Sequence, residues 1–150
     1  MALVQIPVQN HDHYPTAGIN PTQVAAIYSA PLVPGGTTIE LNSRDPQPST
    51  HYPHGRARTL VSPAPVADVL AALAAAGAPL VPVELVRITA STPLDHHVNP
   101  SAIVAVRPHQ SGTGHVWLTN GEELFVTPAA LQALAALLVA PPAAVAAAQI

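Results

Sequence analysis

The sequence contains no cysteine, which excludes disulfides, Cys-based zinc sites and thiol catalysis. It contains no lysine either, so Arg44, Arg56, Arg58, Arg87 and Arg107 are its only basic residues apart from histidine. Charged residues make up 9% of the chain, far below the roughly 25% of ordinary globular domains. The net charge is −3 with His neutral. Proteins that grip phosphate backbones draw on clustered Lys and Arg, and on that ground no nucleic-acid partner is expected. A dispersed monomer normally wears a mixed charged surface. With so few charges, much of this surface is expected to be covered by copies of the chain or by another protein. No apolar run reaches the ~18 residues of a membrane span, because Pro141-Pro142 interrupts the C-terminal candidate. Residues 1–13 lack the basic start of a signal peptide. The expectation is a soluble protein, intracellular at synthesis, with no membrane partner.

What is present is a pattern written twice. Residues 98–106 read VNPSAIVAV and residues 19–27 read INPTQVAAI, displaced by 79 positions from Asn20 to Asn99. The echo continues: Thr37-Thr38-Ile39-Glu40-Leu41-Asn42 corresponds to Gly114-His115-Val116-Trp117-Leu118-Thr119, and Leu60-Val61-Ser62-Pro63 to Phe125-Val126-Thr127-Pro128. Each closing segment leads into an Ala/Leu/Val run. Repeated order of this kind marks one supersecondary unit used twice. The fold expected is α+β, with two pseudo-repeated units, each an antiparallel sheet of three or four strands followed by a C-terminal helix. The first unit takes residues 1–80, the second 81–140, and 141–150 form an apolar tail.

Along the first unit, residues 3–8 alternate as a strand, with Pro7 favouring an edge. The polar segment 11–18 follows, then strands over 24–28 and 37–41 joined by a turn at Gly35-Gly36. Ser62 and Pro63 match the start signal of a helix. Val66, Val69, Leu70 and Leu73 follow at helical spacing up to Gly77. In the second unit, residues 84–89 and 103–106 read as strands, with Val116 and Leu118 on one side of the third strand and His115 and Trp117 on the other. Asn120-Gly121 is a strong hairpin turn, followed by a strand over 123–126 and a helix opened by Thr127-Pro128. Between Leu41 and Leu60 lie 18 residues, against 6 between Leu118 and Phe125. The first unit therefore carries a 12-residue insertion within an arm at 44–58.

Histidine is the one candidate for chemistry. The pairs His11/His13 and His96/His97 fall at equivalent points of the two units, beside Asp12 and Asp95, and imidazole with carboxylate suits zinc or nickel. The spacings that define such sites, as in HExxH, are absent, so the expectation is no metal, with those four as the candidates. Glu122-Glu123, the one adjacent carboxylate pair, reads as a solvated turn. No nucleophile elbow or Gly-rich phosphate cradle is present. The chain is expected to be non-enzymatic and to need no cofactor.

The surfaces are more telling. The helix after Ser62 shows Ala67 and Ala71 opposite its apolar face, and the second helix has no charge at all; helices apolar all round are normally covered. Trp117 lies where the first unit has Glu40, and an exposed Trp is a common interface anchor. Contact residues are therefore assigned to Trp117, to Ala67 and Ala71, to Arg44, Tyr52, Arg56 and Arg58 of the arm, and to Val145 and Ile150 of the tail.

At VNPSAIVAV and HVWLTNGEELFV the second unit resembles the small FlbD-like module, which pairs an Asn-x-x-x-Ile strand with a Thr-x-Ile-x-Leu-x-Asn-Gly hairpin and a closing strand and helix. A weaker kinship is with LytTR-type β-rich DNA-binding domains, whose basic loops are missing. The duplication, the arm and the tail depart from the FlbD-like pattern as a module recruited into a large assembly would. The expected function is a structural protein of a multi-subunit particle, a phage minor capsid, decoration or head–tail component. Its partners would be itself and a major structural protein, and its place the virion. The alternative is a small cytoplasmic adaptor or regulator.

Overall fold

Short aliphatic runs set between Pro and Gly form the strands, and two Ala/Leu runs behind prolines form the helices, in a computed structural model that describes residues 3–9, 15–48, 55–90, 92–93 and 95–138. β1 (Val4–Pro7) and β2 (Thr16–Ile19) make a separate antiparallel pair. β3 (Val24–Ser29), β4 (Thr37–Asp45) and β5 (Arg56–Ser62) form a meander that leads into α1 (Val66–Ala75). Two very short strands follow, β6 (Val81–Pro82) and β7 (His97–Val98). A second meander, β8 (Ile103–Pro108), β9 (Gly114–Leu118) and β10 (Glu123–Val126), ends in α2 (Pro128–Leu138). The fold is α+β, with antiparallel sheets and two helices.

The echoed Asn-Pro has a local cause. Asn20 Oδ1 accepts from Thr22 N, and Asn99 Oδ1 from Ser101 N, both at 3.1 Å. Each cap opens a 3-10 turn with Pro at its first position, Pro21–Gln23 and Pro100–Ala102, which delivers the chain into β3 or β8. Asn99 does more, because its Nδ2 donates to Val24 O (2.9 Å) and its N to Ala25 O (2.8 Å). Those bonds tie β7 against β3.

The expected allotment of one separate sheet to each repeat does not hold. The larger sheet runs β5-β4-β3-β7-β6, and the smaller β10-β9-β8. β6 and β7 follow α1 in sequence yet pair beside β3, in the register Ala26 to Val98. The cause is β3 itself. Its first four residues are all buried, so its edges need backbone partners on both sides.

Two apolar clusters result. Ile6, Ile19, Ile27, Ile39, Val69 and Leu73 form one, and Val98, Val116, Leu118, Leu124, Val126 and Leu134 the other. α1 packs on β1 and β3, α2 on β8 and β9. At Gly114 a Cβ would lie 2.8 Å from both Leu131 Cδ1 and Val126 Cγ2, so α2 rests on bare backbone there. Gly114→Ala should cost about 1–2 kcal/mol by overpacking, read as a lowered urea midpoint with an unchanged m-value.

Several boundaries differ from the sequence reading. α1 starts at Val66 rather than behind Ser62, because Pro65, extended at φ −62 and ψ 152, stands as its N-cap residue. Ser62 instead closes a turn, its Oγ accepting from Ala64 N (3.1 Å). The strand expected at 84–89 is reduced to a bridge between Leu85 and Val126. Past it, Thr92 Oγ1 accepts from the N–H groups of Ile88 and Thr89, which a ladder would have required.

Candidate functional site

The arm is the natural place to look, and much of its described part is strand. β4 runs on to Asp45 and β5 starts at Arg56, with Arg44 opposite Ala57 and Asp45 opposite Arg56. Arg44 explains why. Its Nη1 donates to Asn120 O (2.9 Å) and Glu122 Oε1 (3.2 Å), and its Nη2 to Gly55 O (2.9 Å). The guanidinium therefore clamps the β4–β5 hairpin to the β9–β10 turn and is engaged inside the chain. Glu122 is not a solvated turn residue, since the same Oε1 also accepts from Ala57 N (2.9 Å). Gly121 has φ +85, and a Cβ there would sit 2.8 Å from Arg44 Nη1, so the Asn-Gly turn also makes room for the clamp.

Behind the clamp lies a buried polar layer. Asn120 Nδ2 donates to Glu40 Oε1 (2.8 Å) and Leu41 O (3.1 Å), while Asn120 Oδ1 accepts from Glu122 N (2.9 Å). Glu40 is 7% exposed. Burial raises its pKa above the usual carboxylate range, and the Glu122 charge adds to the rise, against the opposing Asn120 bond and the Arg44 charge.

With Arg44 turned inward, the cations presented outward at this end are Arg56 and Arg58. Both are exposed and flank the buried Ala57 on β5, so strand alternation puts them on one side. β5 is the outermost strand of the larger sheet. A depression of about 360 Å³ beside it is lined by Leu41, Asp45, Arg56, Arg58, Thr59 and Leu60. Cationic guanidiniums and a hydroxyl at a sheet rim can contact phosphate oxygens.

The outer face of β8–β10 carries the aromatic residues. Trp117 is half-buried, donates from Nε1 to Glu123 Oε1 (2.9 Å) and lies beneath Arg107, whose Cζ is 5.0 Å from the ring centre. His115 stacks on Phe125 with ring centres 4.7 Å apart. On α1, Ala67 and Ala71 are exposed.

The His candidates separate. His97 Nδ1 donates to Asp95 O (2.7 Å). His96 is buried, its ring stacked on Tyr28 at 4.8 Å, with neither ring nitrogen hydrogen-bonded among the described residues. Burial lowers its pKa to about 4. Burial works against the charge on Asp95, but the hydrogen bonds from Ser29 N and Oγ together outweigh it and hold its pKa below the usual value. Among the described residues no group of three or more His, Asp or Glu could hold a metal. His11, His13, Tyr52, Val145 and Ile150 lie outside the described residues. No helix among the described residues is long and apolar enough to cross a membrane.

No protein-family model and no curated protein matches the sequence. A solved structure does match by fold: the LytTR DNA-binding domain of a methyl-accepting/DNA response regulator from Bacillus cereus, with TM-score 0.54 and 14% identity over 92% of this chain and 97% of that one. This corrects the FlbD-like assignment and, with it, the virion structural reading and its structural-protein partners. The residues that carried the FlbD-like resemblance are Asn-capped turns, an Asn-Gly hairpin and core positions, which an antiparallel sheet of this shape needs whatever its family. The exclusion of nucleic acid also falls, since it rested on total charge, which says nothing of where five arginines are placed. The regulator alternative lies nearer the finding. At this identity the likeness establishes shared architecture: the chain has a LytTR-like α+β fold.

Proposed function

We propose that this chain is a non-catalytic DNA-binding module of regulatory type, working in the cytoplasm, with Arg56 and Arg58 among its phosphate contacts. The observation that carries the reading is the fold likeness to a DNA-binding domain over nearly the full length of both chains. The exposed arginine pair on β5 fits it. Within this reading the chain is a duplicated unit, 1–80 and 81–140 with 141–150 as its tail, in which the repeats share a sheet. A binding module carries out no covalent chemistry, in agreement with the absence of a catalytic constellation in the sequence.

The low charge sets the character of the binding. Each neutralised phosphate contributes roughly −0.9 to the slope of log K against log salt, so two arginines give a slope of about −2. Non-specific affinity is then weak, and discrimination has to come from base edges and DNA shape.

Fluorescence anisotropy against duplexes selected from a random pool tests this. Specific binding with a shallow salt slope is expected. Arg56→Ala/Arg58→Ala should weaken binding about tenfold or more across sequences and flatten the slope by about two, with the circular dichroism spectrum unchanged. Failure of the selection to enrich any duplex would overturn the reading.

A further inference from the structure

β8 and β3 occupy the same place in the two repeats, each fed by an Asn-capped turn and each followed by a hairpin partner. Their edges are treated differently. β3 pairs with β4 on one side and β7 on the other. β8 pairs with β9 and, among the described residues, with no second strand. What covers β3 is supplied by the chain that follows α1, which returns to the sheet it has just left. After α2 no described segment makes the equivalent return.

Beside the open edge runs a groove of about 690 Å³ between β8 and α2, lined by Ile103, Val104, Val106, Leu131, Ala135 and Leu138 among others. It is apolar and partly open to solvent: Val104 is 64% exposed and Leu138 41%. An unpaired edge beside exposed aliphatic side chains is a template for strand addition. Leu138 is both a wall of the groove and the last residue of α2. Twelve residues follow it, 139–150, reading VAPPAAVAAAQI, with no charge and Gln149 as the one polar side chain. Pro141 and Pro142 have no N–H with which to continue a helix. The eight residues after them span up to roughly 26 Å, enough to run the length of a six-residue strand of about 20 Å.

We propose that residues 143–150 occupy this groove in the same molecule, lying along the open edge of β8 as β7 lies along β3, with Val145 and Ile150 as the apolar side chains that fill it. The segment matches the groove in polarity, reach and point of departure. Its seat also repeats what the chain does behind its first helix.

The absence of cysteine makes a direct test clean. A nitroxide is attached to Ala148→Cys in the otherwise unchanged full chain, and paramagnetic broadening of backbone amides is recorded. The expected result is loss of amide signal at Val104, Val106 and Leu131, with none at Arg58. Adding Val145→Asp and Ile150→Asp to the labelled chain should restore those signals. A second sample mixes isotopically silent, spin-labelled chains with isotope-labelled chains that carry no nitroxide. Broadening there would show that a second copy supplies the segment, overturning the assignment within one molecule. Absence of broadening at β8 and α2 in the first sample would overturn the docking itself.

Discussion

Replacing Asn120 with Ala is expected to cost the fold about 3 kcal/mol at neutral pH, because it strips a donor from a buried carboxylate. Glu40 is almost entirely shielded from water and receives a short hydrogen bond from Asn120 Nδ2, beside a further one from the Tyr28 side chain. The same side chain also serves Leu41 O and accepts from Glu122 N. Truncation therefore leaves a buried carboxylate oxygen, a part-buried carbonyl and a backbone donor each short of one partner. The loss should depend on pH in a stated direction. Glu40 already has a raised pKa in the fold, and removing its donor raises it further. A group whose folded pKa is raised contributes stability below its unfolded pKa and loses it as pH rises through the folded value. The penalty of Asn120→Ala should therefore shrink as pH falls from neutral through the raised folded value, which lies above the ordinary 4.5. Urea denaturation on either side of that value measures it. Glu40→Gln in the Asn120→Ala background should remove the pH dependence. A penalty that is equal at both pH values would show that the lost bond to Glu40 is not the source of the effect.

The residues of this layer show what local sequence can and cannot reveal. Asn120-Gly121 was legible as a hairpin because its chemistry is local: φ +85 at Gly121 is the conformation such a turn requires. Thr127-Pro128 was legible for the same reason, and Thr127 Oγ1 does accept from Ala130 N (3.3 Å). Arg44 was legible only as part of a charged arm. Its use depends on Glu122, 78 positions away, and no pattern in either neighbourhood announces the pair. Two-residue strands are equally silent. β6 and β7 are too short for alternation to show, so their crossing to β3 had no periodic signal. Of the candidate interface, Arg56 and Arg58 could be picked out as a contact element from their clustering. That the contacted partner is DNA is a proposal that sparse charge argued against and fold likeness favours.

The second large effect falls on His96, and it is a loss of stability on acidification. In sequence, Asp95-His96-His97 looks like a polar loop. In the fold Tyr28 lies flat against the His96 ring and Val83 is buried nearby. The titratable neighbours are Asp95, held by Ser29, the adjacent His97, and Glu84, which lines one shallow depression with His96 and His97. Burial lowers the folded pKa from 6.5 to about 4. In the unfolded chain the ring takes up a proton near pH 6.5, while the folded ring does so only near pH 4. The contribution is therefore complete above the unfolded value and disappears as pH falls through the folded one. At 1.36 kcal/mol per pKa unit this amounts to about 3 kcal/mol, or roughly 6–12 °C in Tm for a chain of this size. Glu40 acts in the opposite sense near the lower end of the window, because protonating a buried carboxylate stabilises the fold. The comparison that isolates His96 is with His96→Phe, which keeps a flat ring against Tyr28 and cannot titrate. The variant should hold its Tm between pH 6.5 and pH 4, apart from the slope the carboxylates give both proteins, while the parent falls away. Parallel curves for the two proteins would place the acid sensitivity elsewhere and refute a buried neutral His96.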